Sequence, residues 1–186
     1  MIEAEPNLSA LLHNNHRARL EREILPSYLR TCRWFGAKAR SIREMRIIEQ
    51  IPVAEDAGQL WLLQVAYTDG APDIYSMPVQ LETGPAAEAL ARTTPQAVIA
   101  RVGDKGVLYD ALWDPEFREK IFQLMASGAI LKGRSGQLVG LGAACWRRSL
   151  TTKRRPPRCS TPNRATRRCF STTGFSSSST ASWRTG

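Results

Sequence analysis

The sequence is short of the residues that build metal and nucleophile sites. It has two histidines and four cysteines in 186 residues. Cys32, Cys145, Cys159 and Cys169 form no C-x-x-C pair, so their spacing encodes neither a zinc ribbon nor a dithiol redox motif. His13 and His16 lie close together, but no cysteine or carboxylate pattern accompanies them, and solvated histidines are the expectation. No apolar run reaches the ~20 residues that cross a bilayer. The opening MIEAEPNLSALL is acidic and lacks the charged start of a secretory signal. Free thiols, a cytoplasmic location and no membrane partner follow as expectations.

Acidic residues are missing from one part of the chain altogether. Residues 1–141 hold 16 Lys and Arg against 17 Asp and Glu, whereas residues 142–186 hold 10 Lys and Arg and no acid. The formal net charge of +9 therefore comes entirely from the last 45 residues. A basic balance points to polyanions, but here it points only from the tail. The tail is also short of core formers: after Leu141 it has Leu150 and four aromatics, with no Ile, Val or Met. Ordering 45 backbone residues costs on the order of 45–90 kcal/mol. So little apolar surface does not offset that, and a disordered basic tail is the expectation.

Residues 1–141 do carry periodic structure. Residues 1–15 read as a flexible or loosely helical start. Residues 16–24 read as a helix with Leu20 and Ile24 on one face. In LPSYLRTCRWFGAKAR (residues 25–40), Leu25, Tyr28 and Leu29 share a helical face. Pro26 suits a first turn, and Gly36 is placed to end the helix after Trp34 and Phe35. Lys38 and Arg40 then follow as cations near the C-terminal end of the helix dipole, and a sharper reading has them face an anionic ligand. Residues 42–53 read as a strand ended by Pro52 at an edge or bulge. Residues 59–68 and 73–80 form a hairpin turned at Asp69-Gly70. Residues 86–91 make a short helix, and residues 97–102 and 106–108 a second hairpin turned at Gly103-Asp104. Asp114 caps a helix with Pro115 at its first position, an apolar stripe of Phe117, Ile121, Leu124 and Met125, and a stop at Gly128. GRSGQLVGLG (residues 133–142) lacks the G-K-[ST] ending of a phosphate loop and reads as a flexible connection. The fold class is α+β, with N-terminal helices packed on a curled antiparallel sheet. The domain limits are 1–15, 16–141 and 142–186.

LPSYLRTCRWFGAKAR resembles the N-terminal cap of bacterial maltokinases, as found in trehalose synthase–maltokinase fusions. HRARLEREI before it, SIREMRIIEQIPV after it, the LWLLQVAYTDGAPDIYSMPV hairpin and LYDALWDPEF resemble the same family in the same order. The resemblance implies that the motif residues Arg33, Trp34, Phe35, Gly36, Lys38, Arg40, Asp69, Gly70, Tyr75, Pro78 and Asp110 are structural or meet the kinase lobes that follow the cap. It implies ATP and Mg²⁺ for the intact family, and the kinase lobes as partner. When the degenerate codons of residues 158–186 are read one frame over, they allow S-V-L-F-D-D-R-F-L-L-K-L-Y. This is similar to the hairpin after the cap that carries the nucleotide-contacting lysine. A frameshift near residues 141–143 is the expectation from that reading.

Phosphoryl transfer needs a lysine on the phosphates, carboxylates on Mg²⁺ and an aspartate for the hydroxyl proton. No H-x-D-type loop or D-F-G-type carboxylate is present in the sequence. No catalytic, cofactor-binding or metal residue is assigned, and Asp69, Asp73, Asp104, Asp110 and Asp114 read as turn and cap residues. The leading functional expectation is a maltokinase cap fragment, inactive alone toward maltose. The alternatives are a small protein whose tail binds nucleic acid nonspecifically and an active stand-alone kinase.

Overall fold

The structure, a computed structural model, describes residues 2, 7–54 and 58–141. The tail expected to be disordered lies outside the described residues.

The N-terminal layer is helical. Helix α1 spans Leu8–Leu11, and Asn7 caps it by accepting the Ser9 amide on its side chain. Helix α2 (Asn14–Arg19), a π-turn (Leu20–Ile24) and helix α3 (Leu25–Thr31) form one unbroken helical run. Pro26 therefore sits inside a helix, and not at the free start that the sequence predicts. Its ring crowds the carbonyl four residues back and donates nothing to it. The widened turn before it, with the Leu25 amide bonded to the Leu20 carbonyl, accommodates that. The run ends at Cys32, whose backbone is extended (ψ 132°), so Gly36 does not cap it and has no positive φ. The thiol and hydroxyl near the end satisfy the last turn: Thr31 Oγ1 and Cys32 Sγ both donate to the Tyr28 carbonyl.

Five antiparallel strands form the sheet: β1 (Ile42–Ala54), β2 (Gly58–Tyr67), β3 (Asp73–Thr83), β4 (Val98–Val102) and β5 (Gly106–Asp110). Their spatial order is β1-β2-β3-β5-β4, so the second hairpin joins through its later strand. Pro78 pairs with Leu60 of β2, and β5 begins to pair one residue later at Val79, so Pro78 falls where β3 has no second neighbour. Strand β1 carries three register shifts, between Ile42 and Glu44, Ile47 and Glu49, and Pro52 and Ala54. Bulges sharpen twist, and these curl the sheet edge.

The middle bulge changes which face β1 serves. Met45 and Ile47 pack in the large core with Leu25, Leu29, Phe35, Trp61 and Leu63. Beyond Ile48, Val53 packs instead with Ala111 and Phe117 in a smaller core. One extra residue has moved the odd-numbered side chains to the opposite side of the sheet. That side is covered by α4 (Gly84–Thr93) against Val107 and Tyr109, and by α5 (Pro115–Ser127). Helix α5 follows the sequence reading closely: Asp114 accepts the Glu116 amide, Pro115 opens the helix, and Gly128 (φ 72°) closes it in the left-handed region.

Two expectations change. Ile2, in the segment read as loose, is fully buried, and its backbone pairs with Arg101 and Gly103 beside β4, while Leu11 enters the core. The glycine-rich connection is a hairpin, β6 (Ile130–Lys132) and β7 (Gln137–Val139), not a flexible linker. Its tip is held by Glu49, which accepts the amides of Arg134 at 2.7 Å and Ser135 at 2.8 Å.

Candidate functional site

Most of the family-like residues come together at the end of the sheet where β2 turns into β3. After Cys32 the chain folds back across this end. Phe35 is buried, and its ring lies 5.2 Å from that of Tyr75. Trp34, half-buried, lies 6.0 Å from Tyr75 on the outer side. The core anchor of this stretch is thus Phe35, with Trp34 as its partly exposed neighbour.

Arg40 then clamps the hairpin turn. Its guanidinium donates to the carbonyls of Asp69 and Ala71, pairs with Asp73 at 3.5 Å, and lies over the Tyr67 ring with 3.7 Å between Cζ and the ring centre. Tyr67 in turn donates its hydroxyl to Asp73 Oδ2 at 3.0 Å. Burial and these oxygen neighbours push the Tyr67 phenol well above its ordinary range, so it stays protonated. Gly70 (φ 76°) lets the turn close, and a Cβ there would meet Arg40 Nη2 at 2.8 Å. Arg40 is therefore committed to its own chain. Lys38, its companion in the sequence expectation, is exposed, and no carboxylate pairs with it among the described residues. Arg40 is thus held by its own chain, whereas Lys38 is exposed.

Asp110 lies elsewhere, at the end of β5. It is 3% exposed and caps the short 3-10 turn Ala111–Trp113 by accepting the Leu112 amide at 2.9 Å. Tyr28 on α3 donates to its other oxygen at 3.4 Å. Burial raises the Asp110 pKa, only partly countered by those two donors. The Tyr28 phenol is held well above its ordinary range, chiefly by burial and then by Asp110. Burial also pushes the Cys32 thiol up to about 11, which leaves it protonated and unreactive at neutral pH. These groups border an open groove of about 1130 Å³ with Arg33, Trp34 and Trp113 at its rim. The buried acid, phenol and thiol make a cap and a tie between α3 and β5, with no activated nucleophile. Pro78 is buried in the sheet, and Gly36 is an exposed link with open space around it.

No group of three or more His, Cys, Asp and Glu suited to a metal exists among the described residues. No helix among them is long and apolar enough to cross a membrane. Sequence reasoning missed Glu49 and its hairpin and the tie between Tyr28 and Asp110. Both join residues far apart in the chain, and local patterns carry no signal for either.

The fold and its clamps thus define a small α+β domain: a bulged antiparallel sheet with a folded-back aromatic segment pinned to one end. Residues 28–114 match the family described as the maltokinase N-terminal cap domain. The matched span includes Tyr28 and Asp110, Phe35 and Tyr75, and the whole Arg40 clamp.

Proposed function

We propose that this domain docks on the phosphotransferase lobes of a maltokinase, the enzyme class that transfers phosphate from ATP to maltose and belongs with trehalose and glycogen metabolism. The observation that carries the reading is the family match over residues 28–114, centred on side chains that tie the domain to itself. Arg40, Asp73, Asp110 and Tyr28 are spent on internal partners, so chemistry falls to lobes of the enzyme and not to the cap. ATP and Mg²⁺ belong to those lobes in this reading, and the cytoplasm is where they work. The 186 residues alone do not phosphorylate maltose, since the sequence offers neither a catalytic-loop aspartate motif nor a metal-binding D-F-G motif.

The test is reconstitution. The purified chain is assayed for ATP- and maltose-dependent formation of maltose 1-phosphate, alone and mixed with maltokinase lobes stripped of their own cap. The reading predicts no turnover alone and a gain in activity or stability of the lobes on mixing. Turnover by the chain alone would overturn it.

A second reading rests on the ten cations of residues 142–186, which suit loose contact with nucleic acid. A duplex DNA titration at two salt concentrations tests it. Binding that vanishes when 142–186 is removed supports it, and absence of binding at low salt rules it out.

A further inference from the structure

A second groove, unconnected with the clamp, lies between the helical run and the first half of β1 and measures about 1090 Å³. Its charge is unbalanced in a particular way. Three carboxylates border it, and each is already engaged: Glu21 with Arg17, Glu23 with Arg19, and Glu44 with Arg46. Arg22, Arg30 and Arg43 border the same groove, are exposed, and form no ion pair with any carboxylate of the described residues. Three arginines thus border one concavity with no carboxylate of the described residues paired to them.

The wall that carries two of them is irregular. Arg22 lies within the π-turn, and Pro26, which provokes that turn, also lines the groove. π-Turns inside helices recur at functional sites, because they re-aim side chains that a regular helix would place elsewhere. Arg22 and Arg30 are eight residues apart, about 12 Å along a helix at 1.5 Å per residue. Arg43 borders the same groove from β1. A short chain of phosphates offers a separate anionic group to each cation along that length. Guanidinium groups are suited to it, because each offers a planar fork of N–H donors to phosphoryl oxygens.

We propose that this groove binds a short phosphate chain, either free oligophosphate or the triphosphate of a nucleotide, through Arg22, Arg30 and Arg43. The site is separate from any nucleotide site on kinase lobes and does not depend on the docking reading.

The experiment is calorimetric titration of the full chain with sodium tripolyphosphate, repeated with ATP and with adenosine. The expected result is saturable 1:1 binding of tripolyphosphate, weakening as salt rises, and at least tenfold weaker in R22Q/R30Q/R43Q. ATP binding of similar strength, with none by adenosine, assigns recognition to the phosphates of either source. Binding by adenosine would overturn the proposal. So would absence of tripolyphosphate binding, or binding unchanged in the triple variant, which would assign it to the cations of 142–186. Should the triple variant not fold, Arg43→Gln alone and amide shifts on titration of the wild-type chain decide the matter. Shifts at residues 22, 30 and 43 support the site, and shifts confined to other residues overturn it.

Discussion

The amide of Ile47 donates to Oε1 of Glu21, a residue 26 positions earlier, at 2.9 Å. The same glutamate holds Arg17 at 2.9 Å, and Arg17 donates to the Ile47 carbonyl at 2.7 Å. A salt-bridged pair on a helix therefore satisfies both backbone groups of one residue on an edge strand. An open edge is a template for pairing with another chain, and this pair closes part of it. Glu21→Ala strands the Ile47 amide and releases Arg17. The expected loss is about 1–3 kcal/mol, because a half-buried donor is left without a partner. Glu21→Gln keeps an acceptor and loses less. Urea unfolding checks this as a lower midpoint with an unchanged slope.

The farther half of β1 is closed by another carboxylate. Burial raises the Glu49 pKa, but bonds from the amides of Gln50, Ser135, Arg134 and Gly136 outweigh it and hold the group below its ordinary range. A carboxylate with a lowered native pKa binds fewer protons in the folded state. Its contribution is complete above the unfolded value of about 4.3 and fades as pH falls through the native value. Glu49→Gln should cost about 1–3 kcal/mol at neutral pH and remove that part of the acid sensitivity. Hydrogen exchange at Arg134 and Ser135 provides the local reading: both amides should exchange faster in the variant.

These two ties show where the sequence is legible and where it is not. Helix α5 is readable because its cap, its proline and its closing glycine lie within fifteen residues and act on neighbouring backbone. The Asp69-Gly70 turn is readable for the same reason. The end of α3 is not: Gly36 resembles a stop signal, but the chain leaves the helix at Cys32 so that Phe35 can reach Tyr75 on a strand 40 residues later. The bulge at Ile48 leaves no mark in the alternation of β1, since odd-numbered residues are buried on both sides of it and only the core they enter changes. The candidate site divides likewise. Arg40, Asp69, Gly70 and Tyr75 were legible as a group through family resemblance, but their roles depend on carbonyl and ring partners that a sequence does not display.

Asp110 predicts the opposite pH behaviour to Glu49. Burial raises its pKa, so the native state binds its proton more tightly than the unfolded chain. Stability from this group is full below the ordinary carboxylate value of about 3.9 and is lost as pH rises through the raised native value. Asp110→Asn should flatten that decline while leaving an oxygen to accept the Leu112 amide. Asp110→Ala removes the cap and the Tyr28 acceptor together, at a cost of about 0.5–2 kcal/mol for the cap alone. Thermal midpoints measured from acid to neutral pH separate the variants. A D110N curve parallel to wild type would contradict the assignment.

The Arg40 clamp makes the sharpest distinction between backbone and side-chain causes. Gly70 has a φ of 76°, and a Cβ there meets Arg40 Nη2 at 2.8 Å. Gly70→Ala thus incurs left-handed strain of about 1–3 kcal/mol and also pushes at the guanidinium. Gly70→Asn meets the same space, but asparagine tolerates the left-handed region better, so it should lose less. Arg40→Lys keeps a charge near Asp73, but a lysine ammonium cannot reproduce the fork that reaches the carbonyls of both Asp69 and Ala71 while lying flat on Tyr67. If strain dominates, adding Arg40→Lys to Gly70→Ala costs as much as it does in wild type. If the collision with the guanidinium dominates, the two changes are non-additive and the second costs less. The 2.8 Å approach is to the end of a flexible side chain, which can shift, whereas the backbone angle has no such release. Near-additive losses in urea unfolding are therefore the expected outcome.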